Sequence, residues 1–183
     1  VNKYLTKWGV NTVMTRNGDI TVEQEQISFR IGVAKDNNAN IFISIHANSV
    51  DNPNSSGFLV CFNPLNVENG ENSQLLAENI IAAQSTMPIK GTGYQYRSKL
   101  GVLNQFKGNA VVLIEVGFIS NLNDVKLMTT NADQIGKEIA TGTYKYLYNK
   151  EPSVPIIKEQ PSWFIPLKLP QDNTDLNNPM GGW

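Results

Sequence analysis

The chain has 183 residues, of which 40% are hydrophobic, and a formal net charge of −1 at pH 7. This length suits one domain of ordinary size with an additional tail, and the hydrophobic content is sufficient for a core. A net charge near zero gives no reason to expect nucleic acid or an anionic membrane as a partner, and no apolar run approaches the length of a membrane span. The single cysteine, Cys61, excludes an internal disulfide and lies in an apolar run, which favours a small buried side chain.

Residues 1–150 alternate between helical and extended patterns. Apolar residues at helical spacing predict helices over residues 1–8, 21–37, 74–85, 121–129 and 131–148. Short apolar runs predict strands over residues 10–14, 41–46, 57–62 and 110–116. A loop carrying Arg97 is expected after Gly91, with a short strand or turn near Leu100. The alternation predicts an α/β fold with a single twisted, mostly parallel sheet and helices on both faces.

Polar residues stand where several of these helices begin. Thr21 and Ser73 are the expected N-caps of the second and third helices, and either Ser120 or Asn121 caps the fourth. Arg16 and Asp19 flank an Asn-Gly turn. A local ion pair at a strand end is the simpler interpretation of these two charges, and ordering of a loop near a functional site by Arg16 is the alternative.

His46, the only histidine, lies three residues after the apolar run of residues 41–43. Ligands bind at the carboxyl ends of strands in open α/β sheets, so His46 is a candidate metal ligand or catalytic group. A hydrogen-bonded structural histidine is the alternative interpretation. Ser44 and Asn48 alternate with His46 along the strand, which would place them on its face, where they could orient the ring.

Glu115 interrupts a second apolar strand. A carboxylate in such a setting is costly to bury unless it is paired, protonated or bound to a metal. One interpretation is a structural ion pair with Arg97 or Lys107. The other is a general acid–base whose pKa is raised by its apolar surroundings. Gly117 is expected to serve a tight exit from this strand.

The composition changes from Glu151 onward. Six prolines between residues 152 and 179, with aromatic residues scattered among them, break any helix. Residues 151–183 are therefore interpreted as a Pro-rich linker or an extended tail that packs on a protein partner.

Two motifs together resemble those of the zinc-dependent N-acetylmuramoyl-L-alanine amidases of the Amidase_3 type. They are Ser44-Ile45-His46-Ala47-Asn48 and Ile114-Glu115-Val116-Gly117-Phe118-Ile119-Ser120-Asn121. Their order and spacing are similar to those of the family, as are the segments 15–19, 30–40 and 73–80. The resemblance covers about residues 1–148. It predicts an amidase-like catalytic domain over residues 1–150 that is incomplete at its N-terminus.

The resemblance implies hydrolysis of the amide between the lactyl group of muramic acid and L-alanine of the peptidoglycan stem. The family's zinc is held by two histidines and one glutamate, with a water completing the site. By this resemblance His46 is the second histidine ligand. Glu115 is the catalytic glutamate, which takes a proton from the attacking water and gives it to the leaving amine. Ser44, Asn48 and Arg97 would support the ligand or contact the substrate. The substrate lies outside the cytoplasmic membrane, so an extracellular, cell-wall-associated location is expected.

The other two zinc ligands of the family are expected upstream of Val1, because residues 1–8 resemble the helix that follows them. Glu23 and Glu25 stand at the wrong place to replace them, and the sequence contains no second histidine. Residues 1–183 by themselves are therefore expected to be inactive. The alternative function is a non-catalytic peptidoglycan-binding or structural domain of a larger cell-wall or phage-type assembly. An unrelated α/β hydrolase is disfavoured, because no Gly-x-Ser-x-Gly motif is present.

Overall fold

The computed structural model describes residues 1–18 and 26–153. Within them a four-stranded sheet consists of β1 (Ile41–Asn48), β2 (Phe58–Phe62), β3 (Ile89–Tyr96) and β4 (Ala110–Phe118). The six helices of the described residues are α1 (Asn2–Lys7), α2 (Ile27–Asp36), α3 (Gly70–Ala83), α4 (Gly101–Gln105), α5 (Leu122–Thr130) and α6 (Ala132–Tyr148). None of these helices is long and apolar enough to cross a membrane. The predictions for Asp19, Thr21, Glu23, Glu25 and residues 154–183 lie outside the described residues.

The strand order across the sheet is β1-β4-β2-β3. β1 is parallel to β4, β2 is parallel to β3, and β2 and β4 are antiparallel. The prediction of a single, mostly parallel sheet is therefore confirmed. Because β1 and β4 run in the same direction, their carboxyl ends lie at the same edge of the sheet.

The alternating side chains of β4 divide the core between the two faces of the sheet. Ala110, Val112 and Ile114 pack in one buried cluster with residues of α3 and α6. Val111 and Leu113 point the other way and pack with residues of α2 and α4. Helices on both faces are thus confirmed, and a strand buried on both sides explains the continuous apolar run of residues 110–114.

The strand predicted over residues 10–14 is wrong, because no strand forms there. Val13 and Met14 are 42% and 48% exposed. A strand needs a neighbour that accepts and donates its backbone hydrogen bonds. Among the described residues, the sheet offers this segment no such pairing.

The loop predicted after Gly91 is also wrong, since β3 extends through Gly91 and Gly93. Both glycines have positive φ angles, 59° and 80°. The register between β2 and β3 shifts at this point, so an irregularity in the strand accommodates the two glycines. The segment after Leu100 forms α4 rather than a strand or turn.

Ser73 does not cap the third helix, because that helix begins three residues earlier, at Gly70. The buried Ser73 Oγ instead accepts a hydrogen bond of 2.9 Å from the backbone N–H of Val111 in β4. Of the two cap candidates for α5, Asn121 is the one used: its side chain accepts from the backbone N–H groups of Asn123 and Asp124. Ser73 thus joins a helix to the sheet, a role that its sequence position does not reveal.

Candidate active site

The pairing of β1 with β4 brings the two candidate residues together. His46 is the register partner of Glu115 in the parallel ladder, four residues after the pair Phe42 and Val111. Side chains alternate along a strand, so His46 and Glu115 project to the same face as that pair. Phe42 and Val111 belong to the core cluster that packs with α2 and α4. The site therefore lies at the end of this face, where the apolar core stops.

His46 is oriented by the serine two residues before it. Ser44 Oγ lies 3.0 Å from His46 Nε2, and either atom can donate, depending on the tautomer. In both cases Nε2 is occupied, and Nδ1 is left for another ligand. The alternation of Ser44 with His46 along β1 predicts this contact from the sequence alone.

The surroundings of His46 favour the neutral form of its ring. The partial burial of the ring lowers its pKa, and the charge of Arg30 on α2 lowers it further. A neutral imidazole is the form that binds metal ions, so this environment suits a ligand. The effect of Arg30 was not predicted from the sequence, because it depends on how α2 packs on the sheet.

Glu115 is a partly buried carboxylate without a structural partner among the described residues. Its Oε2 is buried and makes no hydrogen bond there. The ion pairs of the described residues join Lys3 to Asp133, Lys107 to Glu68 and Lys145 to Glu151, and Glu115 is in none of them. Burial raises the pKa of Glu115 above its ordinary value, and the positive charge of Arg97 offsets part of that rise. The ion pair with Arg97 or Lys107, one of the two interpretations of the sequence, does not form, and Arg97 acts on Glu115 only at longer range.

β2 and β3 extend the same face beyond Glu115. Leu59 is the register partner of Glu115, and Cys61 is the partner of Gln95. Burial and the nearby Glu115 carboxylate raise the pKa of the Cys61 thiol to about 11, against the opposing charge of Arg97. Cys61 is 1% exposed, as expected for a small buried side chain, and its thiol donates to the Gln95 carbonyl oxygen at 3.8 Å. Leu59 and Cys61 are therefore buried, uncharged residues between Glu115 and Arg97.

Asn48 and Gly117 have local roles. A shift in register between His46 and Asn48 interrupts the regular alternation of β1. The Asn48 Oδ1 accepts from the backbone N–H of Ser49 at 2.8 Å, so this side chain shapes the turn that leaves the strand. Gly117 lies within β4, and a Cβ at this position would come within 2.8 Å of Met87 and 3.2 Å of Asp124. Close packing, rather than a strand exit, requires this glycine.

The donor atoms of the site fit part of a zinc centre. A neutral imidazole with one free nitrogen suits zinc, and an unpartnered carboxylate beside it suits proton transfer. Within residues 1–18 and 26–153, no group of three or more His, Cys, Asp or Glu residues is close enough to hold a metal ion. The described residues therefore offer one candidate histidine ligand and one candidate base.

Comparison with known proteins identifies the family. No curated protein sequence matches the chain. Among solved structures, the amidase AmiC2 of Nostoc punctiforme is 29% identical, with a TM-score of 0.64 over 78% of this chain and 76% of that one. The catalytic domain of CwlV from Paenibacillus polymyxa is 23% identical, with a TM-score of 0.63 over 81% and 76% of the two chains. CwlD from Clostridioides difficile, solved in complex with the GerS lipoprotein, is 22% identical, with a TM-score of 0.67 over 81% of each chain. The family model described as Amidase_3, N-acetylmuramoyl-L-alanine amidase, matches residues 1–145, and the chain therefore belongs to this family of peptidoglycan amidases.

Proposed function

We propose that, in this amidase, His46 is a zinc ligand and Glu115 is the general acid–base that cleaves the amide between N-acetylmuramic acid and L-alanine. The observation that carries the proposal is the register pairing of His46 with Glu115, whose buried Oε2 has no partner among the described residues. A carboxylate left unpaired in this way costs stability. Such a cost at a strand end is typical of a functional site.

A bound zinc ion would polarise the scissile carbonyl and lower the pKa of a water molecule beside it. Glu115 takes a proton from the attacking water as its oxygen adds to the carbonyl carbon. Glu115 then gives that proton to the nitrogen of L-alanine as the C–N bond breaks, and the second proton of the water also passes to the amine, leaving a lactyl carboxylate and an L-alanine ammonium group. The raised pKa of Glu115 helps its carboxyl group to hold the proton between the two transfers. Ser44 keeps the imidazole ring of His46 in place.

The remaining two ligands belong, in this proposal, to residues upstream of Val1. Peptidoglycan as substrate implies action outside the cytoplasmic membrane, in association with the cell wall. We also propose a protein partner for residues 151–183, where the proline-rich composition suits an extended binding segment.

The proposal is tested in the complete protein with two substitutions that separate metal binding from proton transfer. We expect Glu115→Gln to retain zinc and to lose amide cleavage by about 10²–10⁴-fold, because the amide side chain cannot carry the proton. We expect His46→Ala to lose zinc as well as activity. Zinc content is measured by elemental mass spectrometry, and cleavage by the release of L-alanine amines from peptidoglycan.

Glu71→Gln, at an exposed position on α3, is the matched control and should retain both zinc and activity. Normal cleavage by Glu115→Gln would contradict the role of Glu115. A fully metallated His46→Ala protein would contradict the assignment of His46 as a ligand.

A second candidate function is a non-catalytic domain that binds peptidoglycan. The single histidine ligand among the described residues favours it, because one imidazole does not hold zinc tightly. In that case the complete protein would bind insoluble peptidoglycan and release no amines. Amine release that depends on Glu115 would exclude this function.

A further inference from the structure

The side chain of Arg97 lies on the same face of the sheet as Glu115. Gln95 is the register partner of Cys61, which belongs to the core cluster of that face. Arg97 follows two residues after Gln95, and its backbone N–H continues the ladder by donating to the Phe62 carbonyl at 3.0 Å. Side chains two residues apart in an extended strand share a face. The influence of the Arg97 charge on the pKa values of Glu115 and Cys61 agrees with this placement.

Arg97 is exposed and takes part in none of the ion pairs of the described residues. Leu59 and Cys61 lie between Arg97 and Glu115, and both are buried and uncharged at neutral pH. A guanidinium held at the end of a rigid strand, with no carboxylate of its own, is well placed to bind one from a ligand. Guanidinium and carboxylate groups match in geometry and form two parallel hydrogen bonds.

The strand order determines which part of the substrate would reach Arg97. The sheet runs from His46 on β1 to Glu115 on β4, and then across β2 to β3. In the proposed reaction Glu115 protonates the leaving amine, so the stem peptide extends beyond Glu115 on this side. Arg97 follows β3 and lies level with Val111, four residues back along β4 from Glu115, so the two backbones are roughly 16 Å apart. The Arg97 side chain spans part of that distance, because it hydrogen-bonds the Cys61 thiol, and Cys61 is one strand and two residues from Glu115, roughly 8 Å or two to three extended residues.

We infer that Arg97 binds a carboxylate of the stem peptide on the leaving-amine side of the scissile bond, and thereby selects acidic stem peptides. The inference rests on the proposed function, since that function sets the direction of the substrate. Arg97 contributes to substrate affinity and takes no direct part in bond cleavage. Its loss therefore raises KM only for substrates with a free carboxylate, whereas any change in kcat that follows from the pKa of Glu115 is the same with or without that carboxylate.

The test uses the complete protein and two synthetic N-acetylmuramoyl peptides that differ only in whether the stem carboxylates are free or amidated. We expect Arg97→Gln to raise KM for the free-carboxylate substrate about tenfold, the effect of one charge-assisted contact at an exposed position, and to leave KM for the amidated substrate unchanged. Arg97→Lys should restore part of the affinity, because it keeps the charge but loses the paired geometry. Lys99→Gln removes an exposed charge two residues away and should change neither constant.

An unchanged KM in Arg97→Gln, or an equal rise for both substrates, would overturn the inference. An equal effect of Lys99→Gln would overturn it as well, because it would indicate unspecific electrostatic attraction.

The affinity of Glu115→Gln for both peptides, with and without Arg97→Gln, is measured by calorimetry. Binding that depends on Arg97 and on the carboxylate, without cleavage by the wild-type protein, supports the subsite and refutes the proposed hydrolysis. Cleavage that depends on Glu115, with affinity independent of Arg97, refutes the subsite alone.

Discussion

At the scale of single residues, Asp124 shows how a buried carboxylate stabilises this fold. Its side chain is 1% exposed, and its Oδ2 accepts backbone hydrogen bonds of 2.8 Å from both Gly57 and Phe118. One carboxylate therefore joins the first turn of α5 to the start of β2 and the end of β4. Glu115, three residues before Phe118, has a buried oxygen that makes no such bond among the described residues. Asp124, whose carboxylate is hydrogen-bonded, stabilises the fold, whereas Glu115, whose buried oxygen is not, is available for chemistry.

The structural role of Asp124 predicts a large loss of stability on its removal. We expect Asp124→Ala to lower the free energy of unfolding by about 2–4 kcal/mol, because two backbone N–H groups lose their acceptor in a buried environment. Asp124→Asn retains a carbonyl oxygen and should cost less. Urea denaturation of the two variants measures the difference, and equal stability of Asp124→Ala and wild type would refute this role.

At the scale of elements, the contact between α3 and α6 depends on one glycine. A Cβ at Gly142 would lie 2.4 Å from the Ile80 Cα and 2.5 Å from the Asn79 carbonyl oxygen, both backbone atoms. Backbone atoms of a packed helix cannot move aside as a flexible side chain can, so the two helices would have to separate. The absence of a side chain at residue 142 therefore determines how closely they approach.

This contact predicts opposite effects for two substitutions of the same kind. Gly142→Ala should destabilise the protein by about 1–3 kcal/mol, or more, through overpacking. Gly32→Ala is the matched control: Gly32 lies within α2, and a Cβ there meets nothing within 4 Å. Gly32→Ala should stabilise the protein by about 0.5–1 kcal/mol, because alanine favours the helix more than glycine does. Thermal unfolding followed by circular dichroism compares the two, and a Gly142→Ala protein as stable as Gly32→Ala would contradict the close contact.

Elements with a continuous local signal could be predicted from the sequence, and those that depend on a partner could not. The apolar runs of β1, β2 and β4 and the long apolar stripe of α6 each identify an element by themselves. The extended pattern of residues 10–14 is equally clear. No strand forms there, because the described part of the sheet offers this segment no neighbouring strand. β3 was missed because Gly91 and Gly93 are typical of a loop, although the adjacent β2 holds them in the sheet.

In the candidate site, too, local patterns predict the individual residues, and the pairing of strands determines which of them meet. His46 and Glu115 stand out because each is a lone polar group at the end of an apolar run, and Ser44 follows from the alternation of a strand. That His46 and Glu115 are register partners depends on the pairing of strands far apart in the sequence. The relation of Arg97 to Glu115 further requires the order β4-β2-β3, which local patterns do not contain.

At the scale of the whole molecule, the ionisable groups make opposing contributions to the dependence of stability on pH. Burial of Glu138 on α6 opposes its ionisation, but hydrogen bonds from Ser85, Gln134 and Thr86 outweigh burial and lower its pKa. The pKa of Glu115 is shifted the other way, by burial. A lowered carboxyl pKa stabilises the fold where the group is ionised, and a raised one stabilises it where the group is protonated. Glu138 therefore makes its larger contribution to stability at neutral pH, and Glu115 makes its larger contribution at acid pH.

Glu138 predicts a loss of stability on acidification that a single substitution removes. The carboxylate receives hydrogen bonds of 2.7 and 2.8 Å from the hydroxyl groups of Ser85 and Thr86, which joins α6 to the segment after α3. Because its folded-state pKa lies below the ordinary value of 4.5, its contribution is complete above that pH and is lost as the pH falls through the folded-state pKa. We expect Glu138→Gln to be about 1 kcal/mol less stable than wild type at neutral pH, with a smaller further loss in acid. Urea denaturation across the acid range measures how the free energy of unfolding of each protein depends on pH. Glu71→Gln, at an exposed position of α3, is the control that should follow wild type. Parallel profiles for wild type and Glu138→Gln would mean that other carboxylates cause the acid loss, and that the bonds to Ser85 and Thr86 do not favour the ionised form.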